Sequence, residues 1–158
     1  MPVSPTTVRE LKADLHAAIV AIVPRHEPSR ARRWKRYDRR TPPKAAMRWY
    51  ALRLETDGEA DPGQGVWGSR GDTAANSVYT VRATLSLIVD YGDLPEEDLD
   101  EIASDDHFQL ADRLNAVRQT NNGLRTLQAL DWSIEGEAGD RVQVVHQYDL
   151  TFVQQRDG

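Results

Sequence analysis

The chain has 158 residues, 28% of them charged, and its 20 basic and 25 acidic side chains leave a formal net charge of −5. Leu, Val, Ile and Phe supply 34 residues, about 22% of the chain, just above the ~20% at which disorder becomes the default reading, so one domain with a modest core is expected. The absence of cysteine excludes disulfides, thiolate metal sites and thiol nucleophiles. Neither an apolar run of ~18 residues nor a leader's basic-then-apolar order is present, which reads as a chain of cytosolic origin.

Val8, Leu11, Leu15, Ala18, Ile19 and Ile22 recur at helical spacing and predict an N-terminal helix with one apolar stripe. Thr7 followed by Glu10 has the form of a capping box, and Pro24 marks the end because a proline pushes its predecessor out of helical geometry. Residues 25 to 44 then carry nine cations against Glu27 and Asp38. The −5 is therefore the sum of a +7 segment and a remainder of −12. Pro28, Pro42 and Pro43 discourage regular structure there, with Trp34 and Tyr37 interrupting the charge. The segment reads as an exposed basic arm or long loop.

A strand is expected at about 47 to 55, where Tyr50, Leu52 and Leu54 share a face. Residues 56 to 76 hold five glycines and Pro62 and read as a long Gly-rich loop, a length that is usually functional or disordered. From Tyr79 to Tyr91, Tyr79, Val81, Ala83, Leu85, Leu87, Val89 and Tyr91 alternate with Thr80, Arg82, Thr84, Ser86, Ile88 and Asp90, more than twice the usual strand length. Part of so long a strand is expected to project or to pair with another subunit.

Between Asp93 and Asp106 there are eight acids and no base. Leu99 and Ile102 predict a short helix, with Pro95 suited to its first turn. A second helix is expected after Ser104, burying Phe108, Ala111, Leu114 and Val117, and stopped by Asn121-Asn122-Gly123. Leu130, Trp132 and Ile134 predict a strand, 136 to 140 a turn, and Val142, Val144, His146, Tyr148, Leu150 and Phe152 the buried row of the return strand. The whole reads as a single α+β domain over 1–158: a mostly antiparallel four-stranded sheet with two main helices on one face, plus long loops.

No catalytic constellation emerges. Gly63-x-Gly65-x-x-Gly68 lacks the strand before and helix after that a dinucleotide site needs. Ser69 is not on a nucleophile elbow, since Trp67 stands where a glycine is required. His16, His26, His107 and His146 show no paired metal spacing; His107 beside Asp105 and Asp106 reads as part of an acidic helix start. His146 lies on an apolar row and reads as a packed histidine with one satisfied nitrogen. The acids of 93 to 106 read as a solvated helix face. No enzyme activity, cofactor or metal is expected. The basic arm, with Arg30, Arg32, Arg33, Lys35, Arg36, Arg39 and Arg40, has three readings: docking on an acidic protein surface, a solvated loop, or a grip on phosphates with its aromatics stacked on bases.

The ordering resembles the tail terminator (tail-completion) proteins of tailed bacteriophages and related phage-like particles. It rests on the helix TTVRELKADLHAAIVAIVP, the strand RWYALRLE, a long loop, the strand VYTVRATLSLIVDYG, the helical segment DDHFQLADRLNAV, and the closing strands LDWSIEG and DRVQVVHQYDLTFVQQ. The resemblance implies a ring, typically a hexamer, that sits on the finished tail tube, stops its polymerisation and meets the head connector or stopper. Its location is then the virion neck, after assembly in the host cytoplasm, with DNA only in passing contact and no membrane partner. On this reading the basic arm grips a neighbour, and Glu96, Glu97, Asp98, Asp100 and Glu101 lie near a lumen, where like charge keeps DNA from sticking. Another neck ring subunit, or a small nucleic-acid-binding α+β module using the arm, are the alternatives.

Overall fold

The structure, a computed structural model, describes residues 5–26, 33–37, 48–59, 78–91, 96–138 and 141–155. Within them the order is α1 (Val8–Val20), β1 (Trp34–Arg36), β2 (Arg48–Glu59), β3 (Val78–Asp90), α2 (Glu96–Asn115), a 3₁₀ turn (Ala116–Gln119), β4 (Leu124–Ala138) and β5 (Arg141–Gln155). The protein is α+β, with a five-stranded mixed sheet in the order β1-β2-β3-β5-β4. The expectation of four mostly antiparallel strands is corrected by β1, which runs parallel to β2 with Trp34 opposite Arg48. Three residues are too few to show alternation, yet Trp34 is buried edge-on against Tyr50. The 25–44 segment is thus not exposed throughout.

α1 starts as its sequence predicts: the Glu10 amide donates to the Thr7 hydroxyl at 3.1 Å, satisfying a donor the helix cannot pair internally. Leu11, Leu15, Ile19 and Ile22 are buried. The acidic segment and the helix after it are one 20-residue helix rather than two. Leu99, Ile102, Ala103, Asp106, Leu110 and Leu114 are buried at spacings of three and four, a single stripe that Ser104 does not interrupt. Phe108, expected inside, is 63% exposed, because the stripe runs one residue out of phase with it. Val117 is buried as expected.

β3 neither projects nor lacks a partner. It is central, paired with β2 on one side and with β5 over all 13 of its residues on the other, because β2 and β5 are comparably long. Val81, Ala83, Leu85, Leu87 and Val89 join Val144, Tyr148, Leu150 and Phe152 of β5 in one core with both helices. In β4 the alternation slips. Ala129 pairs with Tyr148 and Trp132 with His146, so Leu130 and Asp131 stand opposite Gln147 in a bulge. Leu130, off the face that alternation would have it share with Trp132, is therefore 48% exposed, and Ile134, nearer the hairpin turn, 44%.

Candidate functional site: a buried polar chain beneath α2

Core-facing positions in or next to four elements carry polar groups instead of apolar ones. β2 supplies Arg48, the end of β3 Tyr91, α2 Asp106 and His107, and β5 His146 and Tyr148. Arg48, Tyr91, Asp106, His107, His146 and Tyr148 are all buried, so each must find its partners inside the protein. β4 contributes a carbonyl, that of Leu130 at the bulge.

Arg48 Nε donates to Asp106 Oδ2 at 2.7 Å, and Arg48 Nη2 reaches the His26 carbonyl at 3.3 Å. The guanidinium also lies 5.8 Å from the ring centres of both Trp34 and Tyr91, a distance at which a cation is drawn to an aromatic ring. Tyr91 Oη is 2.9 Å from Asp106 Oδ2 and 2.9 Å from His146 Nε2. His146 Nδ1 and His107 Nδ1 are 3.1 Å apart, and His107 Nε2 is 3.2 Å from the Leu130 carbonyl. Tyr148 Oη donates to the His107 carbonyl at 3.0 Å and passes within 3.2 Å of His107 Nδ1. His146 thus has partners for both ring nitrogens, one more than its sequence position predicted.

Burial sets the electrostatics. It raises the Asp106 carboxyl above its ordinary value, against the pull of Arg48, the hydrogen bonds from Arg48 and Tyr91, and the charge of His26. Burial also drives His146 down to about 3, with His107 and Arg48 adding to the effect. It lowers His107 too, opposed by the Leu130 carbonyl and Asp131. Tyr91 and Tyr148 are raised, again by burial first and then by Asp106. All six side chains are buried, and their mutual contacts clamp α2 to the sheet.

On its outer side, His26 pairs with Asp105, and Glu101 lies one turn away. The three donor atoms fall within 4.8 Å of one another. An ion pair beside an exposed carboxylate is what an acidic helix makes unaided, and no second feature there points to a bound ion. Gln109 pins the same segment: its side chain donates to the Val23 carbonyl at 2.9 Å and accepts from the Arg25 amide at 3.3 Å.

Of the residues weighed from sequence, His107 and His146 lie in this polar chain, whereas those of the basic arm and of the acidic face lie elsewhere. Arg33, Lys35 and Arg36 are exposed in and beside β1, while Arg30, Arg32, Arg39 and Arg40 lie outside the described residues. Glu97, Asp98, Asp100 and Glu101 are exposed on the first turns of α2, as a solvated face should be; the Glu96 side chain is outside the description. The Gly-rich loop is outside it from residue 60 to 76, whereas its first residues extend β2. Sequence reading missed Arg48, Tyr91, Asp106 and Tyr148 as a group. The available signal was an acid and a histidine on the apolar stripe of α2. No protein-family model matches the chain, and no curated protein matches it.

Proposed function

We propose that this chain is a structural assembly subunit that closes into a ring of identical copies, the part a tail terminator plays at the head-to-tail junction of a phage-like particle. There it would end tail-tube growth, join the tail to the head connector and work without catalysis. The observation that carries the reading is the pair of unlike sheet edges. β4 is a 15-residue edge strand, and its outer side has no partner among the described residues. It also exposes Leu130 and Ile134. A long, apolar-studded edge of this kind is a template for pairing with another chain.

The opposite edge differs. β1 pairs only with the first three residues of β2, leaving β2 beyond Tyr50 without an outer partner among the described residues. Lys35 and Arg36 give that edge positive charge, while the first turns of α2 are acidic. Two unlike, complementary surfaces on one subunit make a head-to-tail contact, and such contacts close into rings when the rotation allows. The order of elements from α1 to β5 also follows the order on which the resemblance to tail terminators rests.

Light scattering and negative-stain microscopy of the purified chain test the reading. A ring, six-membered on the closest analogy, or a monomer that cosediments with tail tubes, is the expected result. A monomer that ignores tail tubes and binds DNA with an affinity falling steeply with salt, as several phosphate contacts require, overturns it in favour of a nucleic-acid module built on the arm.

A further inference from the structure

The polar chain beneath α2 is one proton short. Four contacts run in series: Asp106 with Tyr91, Tyr91 with His146 Nε2, His146 Nδ1 with His107 Nδ1, and His107 Nε2 with the Leu130 carbonyl. Each needs one proton between its heavy atoms. An ionised carboxylate brings none, while Tyr91 and two neutral imidazoles bring one each. Three protons cannot fill four contacts. However they are placed, two lone pairs face each other inside the core, where an unpaired acceptor is at its most costly.

We propose that the chain from Asp106 to the Leu130 carbonyl binds a fourth proton as a unit, forming a buried proton site shared by one carboxyl and two imidazoles. The decisive contact is between the histidines. Their ring planes are 21° apart and their centres 5.2 Å apart, with the two Nδ1 atoms only 3.1 Å apart. The nitrogens therefore lie between the ring centres and point at one another, with room for one hydrogen. Tyr148 does not make up the shortage. Its hydroxyl serves the His107 carbonyl, and turned instead to His107 Nδ1 it would still leave His146 Nδ1 bare.

The surroundings fit a shared proton. Arg48 from β2 faces Asp106, and His26 lies beyond it. Tyr91 and Tyr148 flank the histidines from β3 and β5, and Asp131 of β4 faces His107. Asp105, next to Asp106, is occupied by His26. A carboxylic acid with two neutral imidazoles and a carboxylate with one imidazolium hold the same number of protons, so the titration belongs to the chain and not to one residue. Burial, which disfavours every charged form here, moves the proton toward Asp106. Losing it breaks one of the four contacts, three of which join α2 to the sheet, and the His107–Leu130 contact at the β4 bulge is one that a change of tautomer would release.

Nitrogen-15 NMR of the imidazole rings reads this directly in the intact chain. At pH 5.5 the proposal requires His107 Nε2 and one of the two Nδ1 atoms to carry protons together and, at the same time, either His146 Nε2 or (by the carbon-13 shift of its carboxyl) Asp106 to carry the fourth. Both Nδ1 atoms bare, with both Nε2 atoms protonated, overturns it. Tyr91→Phe is the second arm. It removes two contacts and one proton, leaving two contacts for two neutral imidazoles, so the proton between the Nδ1 atoms must persist unchanged from pH 5.5 to 9. A variant that loses that proton anywhere in this range overturns the proposal as well. Both readouts are independent of ring assembly.

Discussion

Arg48 and Asp106 meet at 2.7 Å, with their side chains 2% and 0% exposed respectively. The pair fastens β2 to α2 across the core. Removing one member strands a buried charge, which typically costs about 3–5 kcal/mol, whereas replacing both by apolar groups of similar size is often neutral. Arg48→Met is therefore expected to lower the unfolding free energy by about 3–5 kcal/mol, and Arg48→Met with Asp106→Leu by much less than the two single changes together. Urea unfolding of the four chains measures the coupling; strictly additive effects would refute it.

Acid should destabilise the fold well before ordinary carboxylates titrate. Burial holds His146 down to about 3 and, with help from Arg36 and Lys12, His16 down to about 4. His107 is lowered as well. A histidine depressed in the folded state binds more protons unfolded, so its stability is full above pH 6.5 and is lost as pH falls toward the folded value. Asp106 has the opposite sign: its raised carboxyl favours the fold at low pH and loses that contribution as pH rises through its folded value. His146 and His16 alone outweigh one carboxyl between pH 6.5 and 4. The urea midpoint is expected to fall steadily across that window, and a flat profile would contradict the buried, neutral imidazoles.

Much of the fold could be read locally because its signals are local. Period-two rows from Tyr79 to Tyr91 and from Val142 to Phe152 marked β3 and β5, and Thr7 marked the start of α1. β1 was invisible, since Trp34 among arginines shows no period over three residues. The continuity of α2 was hidden by Asp106 and His107, polar residues on an apolar stripe. A bulge, which needs a partner strand to define it, moved Leu130 off its expected face. The site failed for a related reason. Each polar residue was readable singly, His146 even as packed and satisfied, but their convergence depends on which strands become neighbours.

Asn121 shows the same limit at a chain stop. Its place in Asn121-Asn122-Gly123 predicted the end of the helix, while its tertiary bonds were beyond sequence reading. Its side-chain amide donates to Thr6 Oγ1 at 3.0 Å and to Asp14 Oδ2 at 2.9 Å, and its oxygen accepts from the Gly123 amide at 3.0 Å. One buried amide thus ties the N-terminal segment and α1 to the start of β4. Asn121→Ala leaves three partners unpaired, with a cost on the order of 2–4 kcal/mol. Calorimetry should show that loss, together with faster amide exchange at Thr6 and Gly123. A change below about 0.5 kcal/mol, the range of ordinary surface substitutions, would mean that water replaces the side chain.

The free edge of β4 separates stability from assembly. Leu130 and Ile134 are 48% and 44% exposed, so the isolated fold gains little from them, and charged replacements there should change stability by no more than about 0.5 kcal/mol. An edge strand used between copies behaves differently, because a lysine on it blocks pairing with a second chain. Leu130→Lys with Ile134→Lys is expected to leave the thermal midpoint near that of the parent while abolishing the ring seen by light scattering. Asp131 and Glu135, also exposed on β4, already carry negative charge, so the added lysines bring the edge closer to neutral. Loss of assembly would then come from the blocked edge and not from a general rise in repulsion. A double variant that still forms rings would move the contact away from β4. One that fails to fold would show instead that these side chains belong to the protomer's own core, which their exposure argues against.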